Sequence, residues 1–297
     1  MPEPSLNVSL RKTRFAPSPT GLLHIGHALA AREVFSFAES RGCEALLRIE
    51  DIDQTRCRPG YEAAIYEDLR WLGFDWPDPV RRQSDHYTEY TSALAFLQKQ
   101  GLVYRSFLTR RELNADMEGR NVVISPAGER PYPGPLQPLS HDEEEARIAA
   151  GEAFSWRLSL SASRDYLGHR FDALAFEETG ECEDVSPGLI KARPDWLGDV
   201  ILARKDTPTS YHLSVTHDDQ LQGISHVIRG RDLYHSTHIH VLLQALMGWE
   251  TPIYRHHGLI LGADKRKFSK SDASKTIRSQ REAGVRPEEI FRDWTLA

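Results

Sequence analysis

Phe15-Ala16-Pro17-Ser18-Pro19-Thr20-Gly21-Leu22-Leu23-His24-Ile25-Gly26-His27 decides the fold of this chain. Thr13 to Ala16 reads as a short strand. Pro17 and Pro19 forbid helix and force an extended turn, which Gly21 loosens. From His27 onward Ala30, Val34, Phe37 and Ala38 recur at helical spacing, and Gly42 stops the run. Ala45 to Ile49 is then a short apolar strand. The result is a β-α-β unit, which predicts an α/β protein with a parallel sheet and helices on its faces.

Ligands of such sheets sit beyond the carboxyl ends of the strands. Two segments meet there: the turn from Pro17 to His27, at a helix N-terminus, and Glu50-Asp51, just after the second strand. A helix N-terminus offers unpaired backbone N–H groups and a positive dipole end, which suit phosphate. Gly26 lets a nucleotide approach the backbone, and His24 and His27 can each donate a hydrogen bond to a phosphate oxygen. Taken alone, His24 to His27 would be a tight turn with two incidental histidines. A second segment changes the balance. Lys265, Arg266, Lys267 and Lys270 lie within six residues, with Ser269 and Ser271 between and after them. The cluster follows Gly262 and reads as a loop. Such clusters are commonly solvated surface; a functional reading needs a reaction in which phosphate charge builds up.

Together and in this order, the two segments resemble the two signatures of the class I aminoacyl-tRNA synthetases. Arg14 ahead of the first, and Arg48-Ile49-Glu50-Asp51 behind it, resemble the glutamate-specific branch. The 26 residues after Ser271 are too few for an independent domain. That shortness resembles the glutamyl-Q tRNA(Asp) synthetases, the branch without an anticodon-binding domain. The resemblance implies a Rossmann-type catalytic domain with an inserted acceptor-binding-like subdomain. Its expected divisions are 1–101 (first half), 102–190 (insertion), 191–255 (second half) and 256–297 (signature loop and helical end).

The resemblance also implies the chemistry. Glutamate attacks the α-phosphate of ATP, with Mg2+ expected, to give glutamyl-adenylate and pyrophosphate. The glutamyl group then passes to queuosine at the wobble position of tRNA(Asp), so the anticodon arm is the expected partner. The implied catalytic residues are His24, His27 and Lys270, with Lys270 stabilising the charge that grows as pyrophosphate leaves. The implied ATP contacts are His24, Gly26, His27, Lys267, Ser269 and Lys270. Phe268 takes the place of Met or Leu as an apolar peg for the loop. A glutamate site needs a planar guanidinium for a carboxylate and an acidic group for the ammonium. The family pattern supplies Arg14, Phe15, Ala16, Pro17, Ser18, Tyr211 and Arg229, with Glu50 facing the ammonium. Two other readings stand beside this one: an enzyme charging tRNA(Glu), and a catalytically silent relative that binds glutamate or tRNA.

Several features lie outside these signatures. Tyr211–Val215 and Ser225–Ile228 are expected strands, and Thr216-His217-Asp218-Asp219-Gln220 connects them. This acidic pair either orders the active-site wall or faces nucleic acid, and no chemistry is assigned to it. Helices are expected over 60–72, 87–100, 141–150 and 232–247. Five prolines fall from Pro126 to Pro138 within the insertion. Relatives carry a zinc site there, of the form Cys-x-Cys then Tyr-x-x-x-Cys. The matching residues here are Ser106, Leu108, Tyr132 and Leu136, which lack the donors zinc needs. No metal is therefore expected. His235, His238 and His240, and the His256-His257 pair, are read as ordinary histidines.

The chain has 297 residues and a formal net charge of −6, which leaves room for local basic patches such as Arg81-Arg82, Arg105 and Arg110-Arg111. No apolar run is long enough to cross a membrane, and no secretory signal is visible. Cys43, Cys57 and Cys182 fit no disulfide framework. A cytoplasmic monomer is the expectation.

Overall fold

The computed structural model describes residues 11–122, 124–126, 128, 130–258, 260–262 and 275–296. The expected signature residues Lys267, Ser269 and Lys270 lie outside them.

The opening unit is β1 (Lys12–Phe15), α1 (Ile25–Arg41) and β2 (Glu44–Ile49), followed by α2 (Pro59–Trp71) and β3 (Arg81–Arg82). β1, β2 and β3 are parallel neighbours. The helix begins two residues earlier than the apolar spacing suggested, because His24 caps it. The His24 Nδ1 accepts from the Gly26 N–H at 3.0 Å, and the His27 Nδ1 accepts from the His24 N–H at 3.2 Å. Gly42, at φ 62°, ends α1 in the left-handed conformation that glycine adopts without cost.

The chain continues through α3 (Tyr87–Lys99), β4 (Val103–Ser106), α4 (Arg110–Asp116), α5 (His141–Ala149), β5 (Ser155–Leu158), α6 (Leu160–Leu167) and α7 (His169–Asp172). Then come β6 (Ala175–Glu178), β7 (Gly188–Lys191), β8 (Ile201–Ala203), α8 (Tyr211–Leu221), β9 (His226–Gly230), α9 (Tyr234–Met247) and β10 (Ile253–His257). β11 (Ile260–Gly262), α10 (Ile277–Glu282), α11 (Pro287–Asp293) and β12 (Trp294–Leu296) close it. β7-β6-β10-β9 form a second sheet, in which β6, β10 and β9 are parallel and β7 is antiparallel. β9 lies beside β1, and Ser225 donates its N–H to the Lys12 carbonyl at 3.0 Å. From this junction the chain runs outward to β2 on one side and to β10 on the other. That is a switch point, where open α/β sheets hold their ligands.

Two sheets cross the expected insertion boundary at 190. β6 lies inside the 102–190 range and β7 straddles its end, yet both belong to the sheet of β9 and β10. β8 lies outside it and pairs with β5 in a separate antiparallel sheet, β4-β5-β8.

The segment expected as a strand over Tyr211–Val215 is the first part of helix α8, which also takes in Thr216 to Gln220. A short apolar run fits either period, and here tertiary packing decides. Leu213 and Val215 enter the core. Ser214 and Thr216 turn their hydroxyls back onto the carbonyls of Ser210 and His212, at 3.0 and 2.7 Å. Helical spacing then sets Tyr211, Asp218, Asp219 and Gln222 on one side of α8. Two apolar clusters support the platform. One, around Leu29, Leu47, Ile65 and Leu69, lies between α1, α2 and the first sheet. The other, around Leu158, Leu213, Leu242 and Tyr254, underlies α8, α9 and the second.

Candidate active site

A cavity of about 470 Å³ opens at the junction of β1 and β9. It gathers every expected site residue that the structure describes. Arg14 to Ser18 come from the end of β1, Glu50 from the end of β2, and His24, Gly26 and His27 from the start of α1. Tyr211 comes from α8, and Arg229 from β9.

The two histidines are built as neutral donors. Each Nδ1 already accepts a backbone N–H, so in the neutral ring the proton sits on Nε2. Burial lowers the pKa of His24. Burial and the neighbouring His24 push that of His27 down to about 3.

Arg229 is the most informative side chain. It is only 6% exposed. Its Nε donates to His256 Nε2 at 3.2 Å, and its Nη2 donates to Thr237 Oγ1 at 2.7 Å. Its Nη1 reaches the Tyr211 hydroxyl at 3.2 Å and His240 Nδ1 at 3.3 Å. All four partners are uncharged, because burial holds both histidines well below their ordinary pKa. Among the described residues no carboxylate pairs with this guanidinium. A buried cation without an anion is costly unless a ligand supplies one.

Glu50 stands across the same cavity, at the end of β2. Arg48 Nη2 holds its Oε1 at 3.1 Å. Burial raises the Glu50 pKa, while Arg48 and Arg14 oppose the rise. A carboxylate in that state is stabilised by any cation that enters.

The acidic pair of α8 turns out to order the site wall. Asp219 accepts from Arg14 Nε and from Arg48 Nη1, both at 2.9 Å. Burial opposes its ionisation, but the two guanidiniums outweigh it and lower its pKa. Asp218 accepts from Arg81, Gln83 and Tyr90 at 2.9, 3.0 and 2.8 Å. The Arg14 fork is thus turned toward Asp219, while its residue still lines the cavity.

The sequence reading missed Arg48, Thr237, His240 and His256. Arg48 was legible in principle, since an arginine inside the apolar run Leu46-Leu47-Arg48-Ile49 shares a strand face with Glu50. The histidines carried no such mark. Their roles come from β9, α9 and β10 lying together.

No group of three or more His, Cys, Asp or Glu side chains able to hold a metal gathers among the described residues. Ser106, Leu108, Tyr132 and Leu136 do share one cavity, of about 750 Å³, in the antiparallel region. Their chemistry, two hydroxyls and two hydrocarbons, does not fit zinc.

The family model of the tRNA synthetases class I (E and Q), catalytic domain, matches residues 11–296. The chain is 42% identical to a glutamyl-Q tRNA(Asp) synthetase of Rhodobacter capsulatus, over 94% of this chain and 98% of that one. It is 35% identical to a glutamate–tRNA ligase of Coprothermobacter proteolyticus over 94% of its own length, but spans only 56% of that protein. Among solved structures, a glutamate tRNA ligase from Elizabethkingia meningosepticum, in complex with its amino acid, superposes with a TM-score of 0.67. That match has 28% identity and covers 89% of this chain and 52% of that one. The cavity at the switch point, the histidine-capped helix and these matches lead to one conclusion: the chain belongs to the class I tRNA synthetases of the E and Q group, in their catalytic domain.

Proposed function

We propose that this protein activates glutamate with ATP and transfers the glutamyl group to queuosine at the wobble position of tRNA(Asp). The observation that carries the proposal is Arg229, a buried guanidinium held only by neutral groups, in one cavity with the Glu50 carboxylate. That arrangement suits an amino acid bearing an ammonium and a side-chain carboxylate. The planar fork of Arg229 takes the carboxylate, and Glu50 takes the ammonium. The α-carboxylate is then free to attack the α-phosphate of ATP. The Nε2–H donors of His24 and His27, at the positive end of α1, lie where phosphate charge grows. Lys267, Ser269 and Lys270 complete the ATP contacts in this proposal. Magnesium enters with ATP as part of that substrate.

The choice of acceptor rests on the Rhodobacter relative, whose name specifies glutamyl-Q and tRNA(Asp) and of which the chain spans nearly all. The acceptor arm is then the anticodon arm, and the enzyme is read as a cytoplasmic monomer. No helix among the described residues is long and apolar enough to cross a membrane. The second reading, charging of tRNA(Glu), is favoured by the 35% identity to the Coprothermobacter ligase.

Two measurements decide between them. Glutamate-dependent pyrophosphate exchange is expected without tRNA. Exchange that appears only on adding tRNA points to the charging enzyme, and no exchange at all points to a silent relative. Labelled glutamate incubated with ATP and bulk tRNA is expected on a modified nucleoside after digestion. Label on the 3′-terminal adenosine would overturn the proposal.

A further inference from the structure

Glu178 ends β6, on the far side of β10 from β9, and is 1% exposed. Its Oε1 accepts two backbone donors, the N–H of Gly180 at 2.7 Å and that of His256 at 3.0 Å. A side chain at Gly180 would meet the His256 backbone, so glycine allows this close approach. Glu178 Oε2 lies 2.6 Å from His256 Nδ1. Burial opposes ionisation of Glu178, but hydrogen bonds from His256 and Gly180 outweigh it and lower its pKa.

An ionised carboxylate has no proton to give. The proton between Glu178 and His256 therefore belongs to Nδ1, and Nε2 is bare. Two donors use that bare nitrogen. Arg229 Nε lies 3.2 Å from it, and the Thr237 hydroxyl 3.3 Å. Thr237 also receives Arg229 Nη2 at 2.7 Å, so one side of the guanidinium is fixed by two contacts.

We propose that Glu178 is a positioning residue for glutamate recognition, which sets the His256 tautomer and through it the orientation of the Arg229 donors. This inference rests on the reading of Arg229 as the partner of the glutamate carboxylate. Glu178 itself touches no substrate. It acts from a neighbouring strand, through one imidazole.

The isosteric substitution Glu178→Gln tests this, because the two backbone donors dictate how the amide sits. Its oxygen must stay on Gly180 and His256, so its NH2 faces His256 Nδ1. The imidazole then accepts at Nδ1 and carries its proton on Nε2, where it opposes the Nε–H of Arg229. Glu178→Asp retracts the carboxylate but introduces no opposing donor. A positioning role therefore makes the isosteric change the more harmful one, whereas a purely structural role makes the shortened side chain the more harmful.

The experiment is glutamate-dependent pyrophosphate exchange by the full chain. Glu178→Gln is expected to raise the glutamate KM about tenfold to a hundredfold, the effect of leaving a buried donor unpaired. The ATP KM should move less than about twofold, and Glu178→Asp should raise the glutamate KM less than Glu178→Gln. Unchanged glutamate KM in Glu178→Gln, a larger effect of Glu178→Asp, or equal rises in both KM values would overturn the inference. If Glu178→Gln does not fold, nitrogen-15 spectra of the wild-type imidazoles decide. The expected His256 tautomer carries hydrogen on Nδ1, and finding it on Nε2 overturns the inference. Failure of the wild type to exchange with glutamate would instead sink the functional reading beneath it.

Discussion

Arg229 and Glu50 share one cavity but belong to two different charge systems. Glu50 is tied through Arg48 to the buried network of Asp219 and Arg14. Arg229 is enclosed by Tyr211, Thr237, His240 and His256, which bring no charge. The site thus holds a carboxylate already paired with Arg48 and a guanidinium with no carboxylate in direct contact. An amino acid with a second carboxylate completes it.

Arg229→Ala is expected to weaken glutamate binding by about 2–5 kcal/mol, the cost of removing one member of a desolvated charge pair. The readout is the glutamate KM in pyrophosphate exchange. A variant with wild-type KM would place carboxylate recognition elsewhere.

Asp219 joins two buried arginines from different strands, so its loss leaves both without their shared anion. Asp219→Asn is expected to lower folding stability by about 3–5 kcal/mol. Urea unfolding followed by circular dichroism measures it. A loss below about 1 kcal/mol, the value of an exposed pair, would contradict the network.

Acid should destabilise the fold earlier than carboxylate titration alone would. Burial lowers the pKa of His27 and His238 to about 3 and that of His212 to about 4, against an ordinary value of 6.5. Below pH 6.5 the unfolded chain takes up protons that the folded chain refuses. The stability from these neutral histidines is full above 6.5 and is lost as the pH falls toward about 4 for His212 and about 3 for His27 and His238. Each contributes a slope of up to about 1.4 kcal/mol per pH unit. Thermal melts across that window should show a falling midpoint, and a flat midpoint would mean that the rings are not buried as neutral groups.

Lys270→Ala is expected to slow adenylate formation on the order of 10²–10³-fold with glutamate affinity little changed. Here the expectation comes from the sequence signature. Near wild-type exchange would remove that lysine from the mechanism.

The protein purified without added metal is expected to hold far less than one zinc per chain, and a zinc-selective chelator, with magnesium in excess, should leave its activity intact. Ser106, Leu108, Tyr132 and Leu136 offer no thiolate or imidazole. Elemental analysis near one zinc per chain would reveal a site built from other residues.

Much of the catalytic frame was legible from local rules. Prolines, glycines and apolar periods act over a few residues, and they located β1, α1 and β2 without any tertiary information. The apolar run at Tyr211 misled, because five residues do not distinguish the two periods. The choice was made by the core that Leu213 and Val215 enter. The sheet partners of the strands in and around the 102–190 segment were illegible for a related reason. A strand's partner is not written in the strand, and β6 pairs with β10, some 75 positions later in the sequence.

The sequence by itself determined the turn from Pro17 to His27, the strand that delivers Glu50 and the identity of the charged groups, since these depend on residue type and short spacing. Tertiary structure alone decided which charges meet. Asp219 became the anchor of Arg14 and Arg48 because the fold brings the end of α8 within side-chain reach of both strands. Glu178 came within one imidazole of Arg229 because β10 lies between β6 and β9. Coulomb and hydrogen-bond energies depend on distance in space, and the distance along the chain from Glu178 to His256 gave no sign of a contact of 2.6 Å.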